Sequence, residues 1–257
     1  MKIAISSKGR PNKQLTLKNL YKSFKKDEIY LFVEPQDIEN YKKYEKICSI
    51  ISIEENDKGL RFSRNFIYQY FKNDIIFQLD DDITYFRKRD GKNDKGYYKL
   101  RNIEKTEIRS MFCAIEKFLL NDEKYGQATI SFCGSNWLFG GEAKINTRAH
   151  VFKCNNNKLL HEKSVKIETE NYLFEDYDFT LEILKSGLKN ISFYQWAFAS
   201  VPMGTNPGGV QGYRAKRIKD SIDYMTKKWP GVVEEFFSKK HGMPEIKVNW
   251  KKVKKYD

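Results

Sequence analysis

Residues 75–82, Ile-Ile-Phe-Gln-Leu-Asp-Asp-Asp, constrain this chain more than any other stretch. Ile75 to Leu79 are mostly apolar and make a short buried strand, and three carboxylates then crowd its C-terminal end. The C-terminal ends of strands are where open α/β sheets bind ligands. Side chains alternate along an extended chain, so Asp80 and Asp82 face one way and Asp81 the other. Such a pair suits one hard divalent cation, which removes the like-charge repulsion and accepts diphosphate oxygens. Taken alone, the run reads equally well as an inert acidic turn.

The residues before it alternate strand and helix. Lys2 to Ile5, Ile29 to Val33 and Ser49 to Ile53 read as strands. Between them Leu15, Leu17, Leu20, Tyr21 and Phe24 have helical spacing, and Asp37 to Tyr44 reads as a short helix. Strands separated by helices mean βαβ units and a parallel sheet. The loop from Ser6 to Pro11 has backbone freedom at Gly9 and a fixed φ at Pro11, and a nucleotide fits there. A helix opening at Gly59 carries Arg61 and Arg64 on one face near its N-terminus, within reach of a diphosphate. Two solvated arginines are the alternative.

After Asp82 the rhythm changes. Ile83 to Phe86 and Tyr97 to Leu100 flank a charged stretch, Arg87 to Gly96, which reads as a mobile loop that tracks an anionic acceptor. Glu104 to Leu120 reads as a helix, and Gln127 to Phe132 and Ala149 to Cys154 as strands, with an aromatic loop from Gly134 to Gly141 between them. Asn155 to Asn157 reads as a turn. A second acidic cluster, Glu175, Asp176 and Asp178, opens a helix that Gly187 stops. Capping and the helix dipole account for one or two of these acids. Three among bulky aromatics exceed that need, and a carboxylate in such a place serves as general base.

Ile191 to Ala199 reads as a last strand. The following Val201 to Arg214, with Gly208 and Gly209, reads as a lid or phosphate-facing segment to which Arg214 and Lys216 add positive charge, or else as a plain linker. Helical segments are expected through Trp229 and around Val232 to Phe237, then a basic tail from Trp250 to Lys255.

The formal charge of +13, with 37 of 47 basic residues being Lys, favours a polyanionic partner such as nucleic acid, against the alternative of A+T-rich codon usage. Cys48, Cys113, Cys133 and Cys154 have no metal-binding spacing and read as reduced thiols. The N-terminal apolar run is too short for a signal peptide and no run reaches a membrane span, so a cytoplasmic protein is expected.

Taken together, the Ser-Lys-Gly-Arg-Pro opening, Val-Glu-Pro, Gly-x-Arg-x-x-Arg-Asn, Leu-Asp-Asp-Asp-Ile, Glu-Asp-Tyr-Asp-Phe and Asn-Pro-Gly-Gly resemble, in that order, a GT-A glycosyltransferase of the phage TET/JBP-associated group. The resemblance implies a single α/β domain with a GT-A-like Rossmann-type mixed sheet. Residues 1–82 would be a nucleotide-sugar-binding half and residues 83–257 an acceptor-binding and catalytic half. It implies a nucleotide-sugar donor, UDP-linked, a Mn²⁺ or Mg²⁺ ion, and double-stranded DNA carrying hydroxymethylated bases as acceptor. Carried over by motif, Ser6, Lys8, Arg10 and Glu34 hold the nucleotide. Asp80 and Asp82 would ligate the cation and touch the ribose, and Asp176, with Glu175 beside it, stands at the catalytic-base position. Many GT-A enzymes add a metal-ligating histidine late in the domain. Gln195-Trp196 and Ser200 stand at that place, and His241 follows too late.

Three competing readings remain at this stage. A glycosyltransferase acting on a saccharide or protein acceptor keeps the chemistry and changes the acceptor. A nucleotidyltransferase also uses paired aspartates and metal but attacks at phosphorus. A non-catalytic DNA-binding module would bind no nucleotide sugar.

Overall fold

The computed structural model describes residues 1–136, 140–170, 173–202, 211–239 and 242–253, with side chains in the last long helix described from residue 217 onward. The first half runs β1 (Lys2–Ser7), α1 (Leu15–Leu20), β2 (Ile29–Val33), α2 (Ile38–Tyr41), β3 (Ser49–Ser52), α3 (Leu60–Tyr70) and β4 (Ile75–Asp80). Next come β5 (Ile83–Lys92), β6 (Tyr98–Asn102), α4 (Lys105–Asn121), β7 (Tyr125–Phe132), α5 (Cys133–Asn136), β8 (Ala143–Ile145), β9 (Phe152–Asn156) and α6 (Asn157–Glu162). The chain continues through α7 (Glu175–Lys185), β10 (Lys189–Ser200), α8 (Gln211–Lys228), β11 (Val233–Ser238) and β12 (Met243–Val248).

One sheet takes strands from the whole chain in the order β3-β2-β1-β4-β9-β7-β10-β5-β6, with β8 also paired to β10. The expected parallel βαβ units hold for β1 to β4. Beyond β4 the sheet is mixed, because β9 joins β4 and β7 antiparallel while β10 runs parallel to β7. On one face Phe77, Phe86 and Phe152 pack their rings on Phe112 of α4. Alternation along β9 puts Phe152 and Cys154 into that apolar layer and Lys153 and Asn155 on the other face, which α7 helps to cover. There a set of buried polar groups stands beside the apolar cluster of Phe179, Ile183, Leu160 and Leu188. Gln127 donates to Asn155 Oδ1 at 3.0 Å, while Thr180 of α7 and Asn190 each donate to Gln127 Oε1 at 3.2 Å. A polar layer without water is stable only when its members pair, so these bonds fix how α7 lies on the sheet.

Several expectations are corrected. Arg87 to Lys92 is no mobile loop, because β5 continues through it and pairs with β6. Arg89 donates to the Asn136 side chain and the Gly141 carbonyl and lies 3.7 Å from the Tyr98 ring centroid, which anchors the arm. Asn155 and Asn156 complete β9, and Asn157 begins α6. The Val232 to Phe237 stretch is strand β11, paired with β12, although its apolar residues recur at helical spacing; Gly231, at φ 70°, turns the chain out of α8. Trp250 and Val253 pack on α7 and α8 and are no solvated tail. β8 carried no sequence signal beyond its three residues.

Candidate active site

The turn between β4 and β5 holds the three aspartates. Thr16 of α1 clamps it from below, its hydroxyl donating to the Asp80 carbonyl at 2.6 Å and accepting from the Ile83 amide at 2.9 Å. The Asp80 amide donates to the Val151 carbonyl, which brings the segment before β9 alongside. As alternation requires, Asp81 turns inward, buried between Arg10 Nη1 at 2.8 Å and the Ser7 hydroxyl at 2.5 Å. Ser7 also meets the Tyr41 hydroxyl at 2.7 Å and accepts from Gln14 at 2.7 Å. Burial pushes the Tyr41 phenol up to about 12. This network fixes the first loop against the acidic turn and holds Arg10 with it; Arg10 also lies 3.9 Å from Asp82.

Asp82 is the perturbed carboxyl of the three. Burial first, then Asp80 and Asp81, push it up to about 7, and its Oδ1 is buried without a hydrogen-bond partner. An orphaned oxygen beside a second carboxylate is a fit for a hard divalent cation. Mg²⁺-type sites commonly take one or two protein carboxylates and complete their shell with substrate phosphates and water. Among the described residues no group of three or more His, Cys, Asp or Glu side chains is placed to hold a metal by itself. The protein's share of such a site is therefore Asp80 and Asp82.

Two arginines that look alike in sequence separate here. Arg64 donates from Nη2 to Asp80 Oδ1 at 3.0 Å and from Nη1 to Glu175 Oε1 at 2.5 Å, so one guanidinium joins the two acidic clusters across 95 residues of chain. Arg61 does not reach that cleft. It is 1% exposed, pairs with Asp178 Oδ2 at 2.6 Å, and donates to the Leu173 carbonyl. Lys228 and the Trp229 indole complete the shell of Asp178, so this acid ties α7 to α3 and α8.

The first two residues of α7 meet two arginines, Glu175 with Arg64 and Asp176 with Arg148. Phe174 before them holds a left-handed backbone, φ 65°, uncommon for a bulky residue and fixed here by Arg61 and Ser221 on Leu173. Asp176 Oδ2 accepts from Arg148 Nε at 2.6 Å, and Oδ1 from the Tyr177 amide at 3.0 Å. Burial works to raise its pKa, but the Arg148 guanidinium foremost, with Lys153, outweighs burial and holds the carboxyl well below the usual carboxylate range. His150 is pushed down to about 3 by burial and by Arg148, so its imidazole is neutral. Lys153, 2% exposed, is pushed down to about 8 by burial and by Arg64, with Glu175, Asp176 and Asp80 opposing.

The residues expected from sequence to hold a nucleotide lie at the ends of β1 and β2. Lys8 donates to Glu34 Oε1 at 2.8 Å and to Asp57 Oδ1 at 2.5 Å, and Gln36 donates to Glu34 Oε2 at 2.7 Å. Ser6 stands in register with Asp80, its hydroxyl buried without a partner. Thus Ser6, Lys8, Arg10 and Glu34 line the strand ends on the side of Asp80 and Asp82, and Arg64 links that side to Glu175 and Asp176. Gly208, Gly209, His241 and the Arg214 side chain lie outside the described residues. Sequence reasoning missed Ser7, Asp57, Arg148, His150 and Lys153. Only Lys153 left a signal, a cation in the middle of the apolar run Val151 to Cys154.

A mixed sheet with a carboxylate turn after its fourth strand and acids opening a helix across the cleft defines a GT-A fold. Solved structures share it. TarS residues 1–349 of S. aureus superposes with TM-score 0.56 at 15% identity, covering 89% of this chain and 65% of that one. The same TarS fragment in complex with UDP-GlcNAc gives TM-score 0.54 at 15% identity, covering 88% and 67%. GalNAc-T7 with UDP, GalNAc and Mn²⁺ gives 0.53 at 9% identity, covering 91% and 59%. The chain thus spans a little under two thirds of the TarS fragment. No curated protein sequence matches it. Residues 1–209 match the model of the TET-Associated Glycosyltransferase family, and the chain belongs to that family.

Proposed function

We propose that the protein moves a sugar from a UDP-linked donor to a hydroxyl group, and that this hydroxyl belongs to a 5-hydroxymethylpyrimidine in double-stranded DNA. The observation that carries the reading is the Arg64 bridge between Asp80 and Glu175, which brings the two acidic clusters together at one guanidinium. Family membership supports glycosyl transfer, and the UDP bound in relatives of the same fold favours a uridine donor.

In this reading Glu34 and Asp57 accept hydrogen bonds from base or ribose, with Lys8 between them and Ser6 beside them. Arg10, Arg64 and Lys153 meet the negative charge that grows on the diphosphate as the anomeric bond breaks. Asp80 and Asp82 would hold Mn²⁺ or Mg²⁺, which when bound supplies further charge to the leaving group. Glu175 fixes Arg64, and Asp176 receives the acceptor's proton. Its ion pair with Arg148 keeps Asp176 ionised at all working pH but makes it a weak base, so the proton moves late, once attack has acidified the hydroxyl. Arg61, locked on Asp178, has no part at the diphosphate. Gly208, Gly209 and Arg214 are assigned to closure over the donor on sequence grounds alone.

The 5-position of a pyrimidine faces the major groove, and bringing it to a buried carboxylate requires extruding the base. The β5–β6 arm carries Arg87 and Lys92 beside Tyr85 and Tyr97, 41% and 45% exposed, and suits contact with the duplex backbone. Among the described residues no helix is long and apolar enough to cross a membrane. The test is mass spectrometry of nucleosides from hydroxymethylated and plain DNA incubated with a panel of nucleotide sugars and Mn²⁺. Sugar mass on the hydroxymethylated base alone is the expected result. A nucleotide mass instead, or transfer only to saccharide or peptide acceptors, replaces this reading with one of its competitors.

A further inference from the structure

Residues of β8 and of the β11–β12 hairpin line an open cavity of about 640 Å³. Lys144, Lys247 and Lys251 stand around it with one acid, Glu234, and the Trp250 indole forms a wall. A smaller cavity of about 210 Å³ continues past Trp250 and Asn146, which line both, toward Lys185 and Lys189. Five ammonium groups against one carboxylate make a strongly cationic groove, and the aromatic wall offers it a flat apolar face.

Two details mark the groove as built. Asn146 Oδ1 is buried without a hydrogen-bond partner. Its backbone is held left-handed at φ 56°, with the Asn146 amide on the Asn190 carbonyl at 2.9 Å and the next residue, Thr147, exchanging two bonds with the Asn190 side chain at 2.9 and 2.6 Å. The groove also reaches the candidate base. Trp250 stacks on Tyr177 with ring centroids 6.0 Å apart and planes 10° apart, Tyr177 accepts from Arg148 Nη1 at 3.0 Å, and Arg148 holds Asp176.

We propose that this groove binds a stretch of the nucleic-acid acceptor strand next to the transfer site. One base stacks against Trp250, its exocyclic amine donates to Asn146 Oδ1, and the lysines take the flanking phosphates. The proposal rests on the DNA-acceptor reading above and says where the strand lies. Arg148 and Tyr177 connect the occupied groove to the carboxylate that receives the acceptor's proton.

Fluorescence anisotropy with a short, unmodified, fluorescein-labelled single strand tests it on the full chain. Trp250→Ala is expected to weaken binding roughly five- to hundredfold, with Trp250→Phe restoring most of it. Lys144→Glu with Lys247→Glu is expected to weaken binding and flatten its salt dependence, by about 0.7 in log–log slope for each phosphate no longer neutralised, while calorimetric binding of UDP-sugar stays as in wild type. The charge reversals lie on the surface, so they keep the test valid if Trp250→Ala lowers the melting temperature. Variants that bind the strand as wild type does overturn the groove assignment and leave the DNA acceptor standing. A wild type that binds no strand, or whose groove takes only an anionic oligosaccharide, overturns the groove assignment, and transfer to hydroxymethylated duplex DNA then decides the acceptor separately. Strand binding that depends on the groove without any sugar transfer supports the groove and contradicts the proposed reaction alone.

Discussion

Lys153 carries its charge on a strand buried on both faces, beside Arg64, and its pKa falls to about 8 from an ordinary 10.5. Between those two values the folded protein has released a proton that the unfolded chain still holds, so the stability it contributes rises with pH across that window. Below pH 8 the charged amine is a net cost. Lys153→Met is therefore expected to raise the melting temperature at pH 7, to remove the rise in stability between pH 8 and 10.5, and to weaken donor binding. Thermal melts across that range and calorimetry with UDP-sugar check it. A variant with lower stability and unchanged affinity would show that Lys153 serves only to balance Asp80, Glu175 and Asp176. Asp80→Asn is expected to lose transfer and donor affinity together. The acids were legible in sequence because they cluster within a few residues. Arg148 and His150 were not, because the segment leading into β9 gains meaning only when β9 is placed beside β4, and Lys153 left no more than a lone cation in an apolar run.

At the scale of elements, α7 is held on two sides. The polar layer around Gln127 fixes its underside, and the buried Asp178 ties it to α3 through Arg61 and to α8 through Lys228. Removing Arg61 leaves the buried Asp178 with Lys228 and Trp229 but takes away its 2.6 Å partner and the bond to the Leu173 carbonyl, so Arg61→Leu is expected to cost about 3 kcal/mol in urea unfolding, the lower end for a broken buried pair, while sparing donor affinity in the folded fraction. Arg64→Leu is expected to do the reverse, with a large loss of donor affinity. Equal loss of affinity in both variants would return Arg61 to the diphosphate. The two residues are three apart and look equivalent in sequence; which of them meets the cleft was decided by the packing of α7 and α8 over the helix. The β5 arm and β11 escaped sequence reading for a related reason. Charged residues on a strand next to the sheet edge look like a loop, and Val-Val-Glu-Glu-Phe-Phe fits a helix until β12 is there to pair with it.

Across the whole molecule, one sheet brings loop ends from the first 82 residues against a helix that begins near residue 175, and the chain as a whole carries a formal charge of +13. If that charge serves a DNA acceptor, the logarithm of the binding constant for duplex DNA falls linearly with the logarithm of salt concentration, which titration by anisotropy reads directly. A salt-insensitive constant would assign the charge to composition alone. The β1 to β4 half of the fold was readable because each strand and helix announces itself by period. The second half was less so, since β10 pairs with β7, β8 and β5 over different parts of its length, a matter of tertiary registry that no local pattern carries.

The central claim is that donor and acceptor chemistry meet in the cleft that Arg64 spans. The measurement that reaches it most directly is sugar transfer to hydroxymethylated DNA by Asp176→Asn, followed by nucleoside mass spectrometry alongside calorimetric binding of the donor. The account predicts transfer slowed roughly 10²–10⁴-fold with donor affinity intact. Transfer at the wild-type rate would contradict it.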